Sequence, residues 1–325
     1  MRKVRPLEAS ISGRWLQVPT QRSYGPLKDR RDPEAVSVST CFWDSNAGWQ
    51  ACIMRTDDLD LPFAVSALGH TSGKPTIVLP GGPCRGPEYL GDFAGLGNDH
   101  ALVVMHPRGA PKSGGLSRGW WSDAEDVVAL ADALGLDTID LVAHSAGTRL
   151  ALATAARFPG RVQSMTLVTP PASWLTGTPS DAQSIAAERT EPAVAQALAA
   201  QEHDDPSTES AFQESVRRQA PDSYAHWTDI ERSHADVGGV SLAAAIAWFN
   251  DVPVDASDRI RAMHSPPTLV IGGDQDLLTG VQPVRDYAAI LKAEVSFITD
   301  CGHYPWIEQP EAFQRLLHPW LAMRH

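Results

Sequence analysis

The sequence predicts an α/β fold, a mostly parallel sheet flanked by helices and interrupted by an all-helical insertion. Three observations carry that expectation. Short β-branched runs alternate with longer segments of helical period, which is the pattern of strands joined by crossover helices. One such run, "IDLVAHSAG" at residues 139–147, ends in a small-x-Ser-x-Gly pentapeptide and passes straight into the helix-like "TRLALATAARF". Residues 173–257 hold no convincing strand, only Ala-, Glu- and Gln-rich stretches broken by Pro206, Pro221 and the Gly238-Gly239 pair.

Taken in order, residues 1–35 are polar and punctuated by proline, and read as an irregular arm. "VSVSTCFW" and "WQACIMRT" read as an antiparallel pair, and "LPFAVSALG" as a further strand. Four buried strands follow in "PTIVLPGG", "HALVVMHPRG", "TIDLVAHS" and "VQSMTLVTPP". Between the second and third of these, "SDAEDVVALADALGL" offers Ser122 as N-cap, Glu125 at the capping-box position and Gly135 as terminator. Sheet patterning returns in "PPTLVIGGDQD" and "EVSFITDCGHYPW", separated by the helix-like "VQPVRDYAAILK", and "EQPEAFQRLLHPWLAMRH" reads as an amphipathic closing helix. The expected core therefore comprises residues 36–172 and 258–325, with residues 173–257 as a helical cap.

Composition narrows the function. A chain of 325 residues with 43% hydrophobic and 20% charged side chains suits one large soluble domain with an insertion. A formal net charge of −12 argues against nucleic-acid binding, since phosphates need a basic face. The opening "MRKVRPLEASISGRWLQVPTQRS" has basic residues but no apolar core or small-residue cleavage site, and no later stretch has the apolar length of a membrane span. A cytoplasmic location is the resulting expectation. The four cysteines, Cys41, Cys52, Cys84 and Cys301, show no metal-ligand spacing and suit reduced thiols. Neither metal nor cofactor is expected.

The pentapeptide supplies the chemistry. A serine on a tight turn between a buried strand and a helix stands exposed, and its neighbours must be small because strand and helix approach closely there. Ser145 fits, with Ala143 where glycine is usual. A hydroxyl needs an adjacent base, itself oriented by a carboxylate. In a parallel sheet these should come from loops at the carboxyl ends of later strands, in the order Ser, acid, His. "GGDQD" offers Asp274 and Asp276, and Asp276 is preferred because the glycine pair turns the chain before it. "DCGHYPW" offers His303 just past the last strand. The backbone N–H of Ala146 is one expected oxyanion donor, and the Gly81-Gly82 loop after the first core strand is the expected source of the other.

These motifs together resemble the α/β-hydrolase superfamily, with its eight-stranded type of sheet, and within it the chain is most similar to the proline iminopeptidase group. The group's His-Gly-Gly-Pro-Gly loop is matched by Pro80-Gly81-Gly82-Pro83-Cys84, and its Asp-x-Arg-Gly-x-Gly-x-Ser segment by residues His106 to Ser113. "GTRLALATAARFPGRVQSMTLV" resembles the group's elbow helix and following strand, "GGDQD" its acid loop, and "CGHYPWIEQPEAF" its histidine loop. The resemblance implies the N–H of Gly82 as second oxyanion donor and Asp276 as the triad acid. It implies a serine hydrolase acting on an amide or ester of a small molecule or short peptide, with aminopeptidase activity as the group's own chemistry. The cap departs from the group's Trp-x-x-Trp-Glu segment: the nearest stretch is Tyr224 to Thr228, leaving Trp227 and the nearby Glu231 as candidate substrate contacts. The alternatives are an esterase, lactonase or acyl-transfer enzyme, and a ligand receptor without turnover.

Overall fold

In the computed structural model the described residues are 59–69 and 73–323, together with an antiparallel pair of two-residue strands, β1 (Ala9–Ser10) and β2 (Trp15–Leu16). The expected hairpin in "VSVSTCFW" and "WQACIMRT", with Cys41 and Cys52, lies outside them, as does most of the N-terminal arm.

Seven strands form the main sheet: β3 (Val65–Leu68), β4 (Thr76–Leu79), β5 (Leu102–Met105), β6 (Ile139–His144), β7 (Val162–Val168), β8 (Thr268–Gly273) and β9 (Glu294–Ile298). Their order is β3-β5-β4-β6-β7-β8-β9. Only β3 runs antiparallel to its neighbour, β5; the other neighbours are parallel. The seven strand-like runs read from "LPFAVSALG" onward thus become strands, and β6, which leads into Ser145, lies near the middle.

Burial follows the two-residue period of a strand covered on both faces. Ile77, Leu79, Leu141 and Ala143 join a core with α1 (Ala124–Ala133), α2 (Gly147–Arg157) and α10 (Gln282–Leu291). The alternate residues Val78, Val142 and Val168 pack instead with Phe313, Leu317 and Trp320 of the closing helix α12 (Pro310–Ala322), just after the short α11 (Pro305–Glu308).

Between β7 and β8 the chain forms seven α-helices, one 3₁₀ turn (Ala220–Ser223) and no strand: α3 (Ser173–Thr176), α4 (Ala182–Ala186), α5 (Pro192–His203), α6 (Glu209–Gln219), α7 (Asp229–Ala235), α8 (Leu242–Ala247) and α9 (Ala256–Ala262). One local expectation fails. Helix α1 starts at Ala124, after Asp123 rather than Ser122, and no side chain caps it. The Glu125 carboxylate, expected to close a capping box, is drawn instead to Arg157 at 2.6 Å and Arg118 at 3.1 Å, where opposite charges outcompete a neutral N–H. Gly135 ends the helix region at φ 68°, as expected for a left-handed terminator.

Candidate active site

Ser145 sits between β6 and α2 with φ 49°, a left-handed conformation that a side chain disfavours. The surroundings hold it there. Its N–H donates to the Val168 carbonyl at 2.9 Å, and its own carbonyl accepts from Thr148 N at 2.9 Å and Thr148 Oγ1 at 2.6 Å. Glycine is required two residues on, because a Cβ at Gly147 would lie 2.5 Å from the Pro80 carbonyl oxygen. Ala143 is fully buried in β6 without disturbing the turn.

The loops after β8 and β9 bring the acid and the imidazole together. His303 Nδ1 donates to Asp276 Oδ2 at 2.9 Å, and both residues are buried. The same carboxylate accepts the N–H groups of Leu278 at 2.9 Å and Thr279 at 3.2 Å, and the Thr279 hydroxyl at 2.5 Å, so its position is held by three donors besides His303. Asp274 is directed elsewhere, toward the Cys301 N–H at 3.4 Å. Holding the proton on Nδ1 leaves His303 Nε2 as the lone-pair nitrogen, which is what a general base needs. No hydrogen bond joins Ser145 Oγ to Nε2 in this structure. Such contacts often tighten only with substrate bound.

The glycine loop after β4 rests on the turn. A Cβ at Gly81 would come within 2.7 Å of Ser145 Cβ and 2.5 Å of His144 Nδ1. Among the described residues, the backbone N–H groups of Gly82 and Ala146 donate to no acceptor. These are the two groups named from the sequence as oxyanion donors.

Sequence reading missed the connection beneath them. The Gly81 N–H donates to the Tyr89 hydroxyl at 2.5 Å, which lies 2.9 Å from His144 Nδ1, while His144 Nε2 lies 3.1 Å from the His303 carbonyl oxygen. A carbonyl can only accept, so Nε2 carries the hydrogen, Nδ1 accepts, and the Tyr89 hydroxyl must donate to it. Every proton in the chain is thereby placed. Burial first, then the neighbouring His303, holds the His144 imidazole well below its ordinary pKa and keeps it neutral. The two imidazole rings lie 4.8 Å apart.

Arg85 makes a second connection that the sequence did not signal. Its guanidinium donates to the carbonyls of Val237 and Gly238, both at 3.1 Å, just past α7, and to the Tyr304 hydroxyl at 2.8 Å beside His303. Glu308 works alongside it, accepting N–H groups from Ala225 at 2.6 Å and from Gly302 at 3.1 Å.

The remaining site candidates make no direct contact with Ser145, Asp276 or His303. The Glu231 carboxylate closes a capping box on Thr228, whose N–H it accepts at 2.9 Å, and is buried in that role. Trp227 packs its ring 5.5 Å from that of Tyr224 and lies 5.9 Å beneath the Arg232 guanidinium. No hydrogen bond, ion pair or ring contact joins either residue to Ser145, Asp276 or His303. In the segment from His106 to Ser113, Arg108 forms a bidentate pair with Asp126 at 2.6 and 3.0 Å, and the Ser113 hydroxyl bonds the His106 carbonyl at 2.6 Å. Those residues brace the loop after β5. Cys84 and Cys301 are free and buried.

Comparison with known proteins identifies the fold. A family model described as alpha/beta hydrolase fold matches residues 75–310. A 2-hydroxymuconate semialdehyde hydrolase of Pseudomonas putida is 31% identical over 294 residues, covering 85% of this chain and 97% of that one. Likeness to a proline iminopeptidase of Lactobacillus delbrueckii subsp. bulgaricus is confined to 91 residues at 29% identity, 26% of this chain and 30% of that one. Among solved structures, a thermophilic esterase from Thermogutta terrifontis superposes with TM-score 0.59 at 21% identity, covering 81% of this chain and 94% of that one.

Proposed function

The chain belongs to the α/β-hydrolase family, and from that premise we propose that it is a serine hydrolase cleaving an acyl bond of a small molecule through an acyl-enzyme. The observation that carries this reading is the His303–Asp276 bond at 2.9 Å, set where the Gly81 loop lies on Ser145. Ser145 Oγ attacks the carbonyl carbon as His303 Nε2 takes its proton. The imidazolium then hands that proton to the leaving group, with Asp276 stabilising the charge throughout. The Gly82 and Ala146 N–H groups receive the oxyanion, each supplying about 3–4 kcal/mol if they behave as such donors do elsewhere. Water, activated by the same imidazole, releases the acyl group.

An ester-type small molecule is favoured over a peptide with a free amino terminus. Gripping a terminal amine needs an available carboxylate, and the nearby Glu231 spends its own on capping α7. The long relative is a hydrolase of a small metabolite and the structural neighbour an esterase, whereas the iminopeptidase likeness is short. The test is covalent labelling by a fluorophosphonate probe. Labelling of the native chain that is lost in Ser145→Ala supports the mechanism, and a folded native chain that never labels refutes it.

A further inference from the structure

Four residues after the nucleophile, in the first turn of α2, stands a cation that has no counter-ion among the described residues. Arg149 is 8% exposed, in a helix whose other neighbours are glycine, threonine, alanine and leucine. Its guanidinium lies 4.5 Å from the ring centre of Trp174, 5.3 Å from Phe249 and 5.9 Å from Trp120. Among the described residues it makes no hydrogen bond or ion pair. Beside it, the buried Trp174 Nε1 has no hydrogen-bond partner among the described residues either. Ring faces compensate only part of the cost of dehydrating a cation, and they accept none of its five N–H donors. Burial pushes its pKa down to about 9, which still leaves it charged at neutral pH.

Position completes the argument. Trp120 lies in the loop after β5 and Trp174 opens α3 just beyond β7, so this box stands at the carboxyl edge of the sheet, where ligands of open α/β folds bind. Arg149 is the third residue of the helix that begins two residues after Ser145, so both belong to the same end of α2. We propose that Arg149 is a specificity residue for a substrate carboxylate: the guanidinium takes the anion and the aromatic box takes the carbon chain leading to the scissile carbonyl. The assignment of the scissile carbonyl rests on the serine hydrolase reading, while the anion site itself stands on Arg149 and its neighbours.

The experiment measures binding without turnover. Ser145→Ala protein is titrated calorimetrically with the monomethyl esters of succinate, glutarate and adipate, and with their neutral dimethyl esters. At least one monoester is expected to bind roughly 10- to 100-fold more tightly than its diester, the range for hydrogen bonds to a charged partner. Arg149→Met in the same background should abolish that preference, and Arg149→Lys should keep part of it. Equal affinity for acid and neutral esters, or a preference that survives Arg149→Met, overturns the proposal. Replacing an unpaired buried cation by a side chain of similar volume should leave the melting temperature unchanged or raised; a large drop would mark Arg149 as structural and also count against a ligand site. Failure of fluorophosphonate labelling with an intact Arg149-dependent preference would remove only the hydrolase reading, and the reverse pattern would remove only this one.

Discussion

Replacing Tyr89 by phenylalanine tests the hydrogen-bonded chain beneath the site. The ring is 1% exposed and would stay in place, so the change removes one hydroxyl and little else. That hydroxyl accepts from the Gly81 N–H at 2.5 Å and donates to His144 Nδ1 at 2.9 Å. Without it a buried donor and a buried acceptor lose their partners together. His144 cannot recover by moving its hydrogen to Nδ1, because the His303 carbonyl would then face a bare nitrogen. At about 1–3 kcal/mol for each unsatisfied buried group, the loss comes to about 2–6 kcal/mol. Urea unfolding followed by tryptophan fluorescence should show a lower midpoint at unchanged slope. Because the same chain ties the Gly81 loop to the His303 loop, the fluorophosphonate labelling rate should fall as well. A variant within about 0.5 kcal/mol of the native chain, the range of an ordinary surface change, would refute the argument.

Two further outcomes follow from the same geometry. Asp276→Asn should lower kcat on an ester substrate on the order of 10⁴-fold while the protein stays folded, because an amide can donate to His303 Nδ1 and so favour the wrong tautomer; a fall of less than about tenfold would contradict the assigned role. His234, pushed by burial down to about 4, donates from Nε2 to the Tyr89 carbonyl at 2.7 Å and accepts the Tyr224 hydroxyl at Nδ1, also at 2.7 Å. The folded chain keeps it neutral while the unfolded chain protonates it below about pH 6.5, so its contribution to stability is full above that value and is lost as pH falls toward about 4. His144 is shifted in the same direction. His234→Gln should flatten the decline in urea midpoint between neutral and mildly acid pH, and an unaltered decline would exclude His234 as its source.

The fold was legible because each buried strand is a short apolar run bounded by glycine, proline or a capped helix, and such runs have few other ways to hide. The meeting of Asp276 with His303 was legible because strand order dictates which loops can meet, and Asp276 rather than Asp274 bonds the imidazole. What stayed hidden depends on pairings distant in sequence. Tyr89 and His144 look like ordinary aromatic and turn residues until the β4 loop folds onto the end of β6. Glu231 read as a possible amine contact, yet Thr228 three residues earlier already carried the local signal of a capping box. Arg149 left a trace, a lone charge in the otherwise small and apolar run "GTRLALATAA", but only its neighbours show that no described residue neutralises it.

Arg85 joins two tasks usually treated as separate. Its side chain is fastened to the backbone after α7 and to Tyr304, while its own backbone N–H bonds the Gly82 carbonyl at 2.6 Å. In the proposed mechanism a molecule too bulky for the space could enter only by lifting the helical segment. Doing so would pull on the carbonyl of Gly82, the residue whose own N–H is a proposed oxyanion donor. Size selection would then register as slower chemistry in an already formed complex rather than as weaker capture. A chain built this way can bind a misfit and still decline to turn it over.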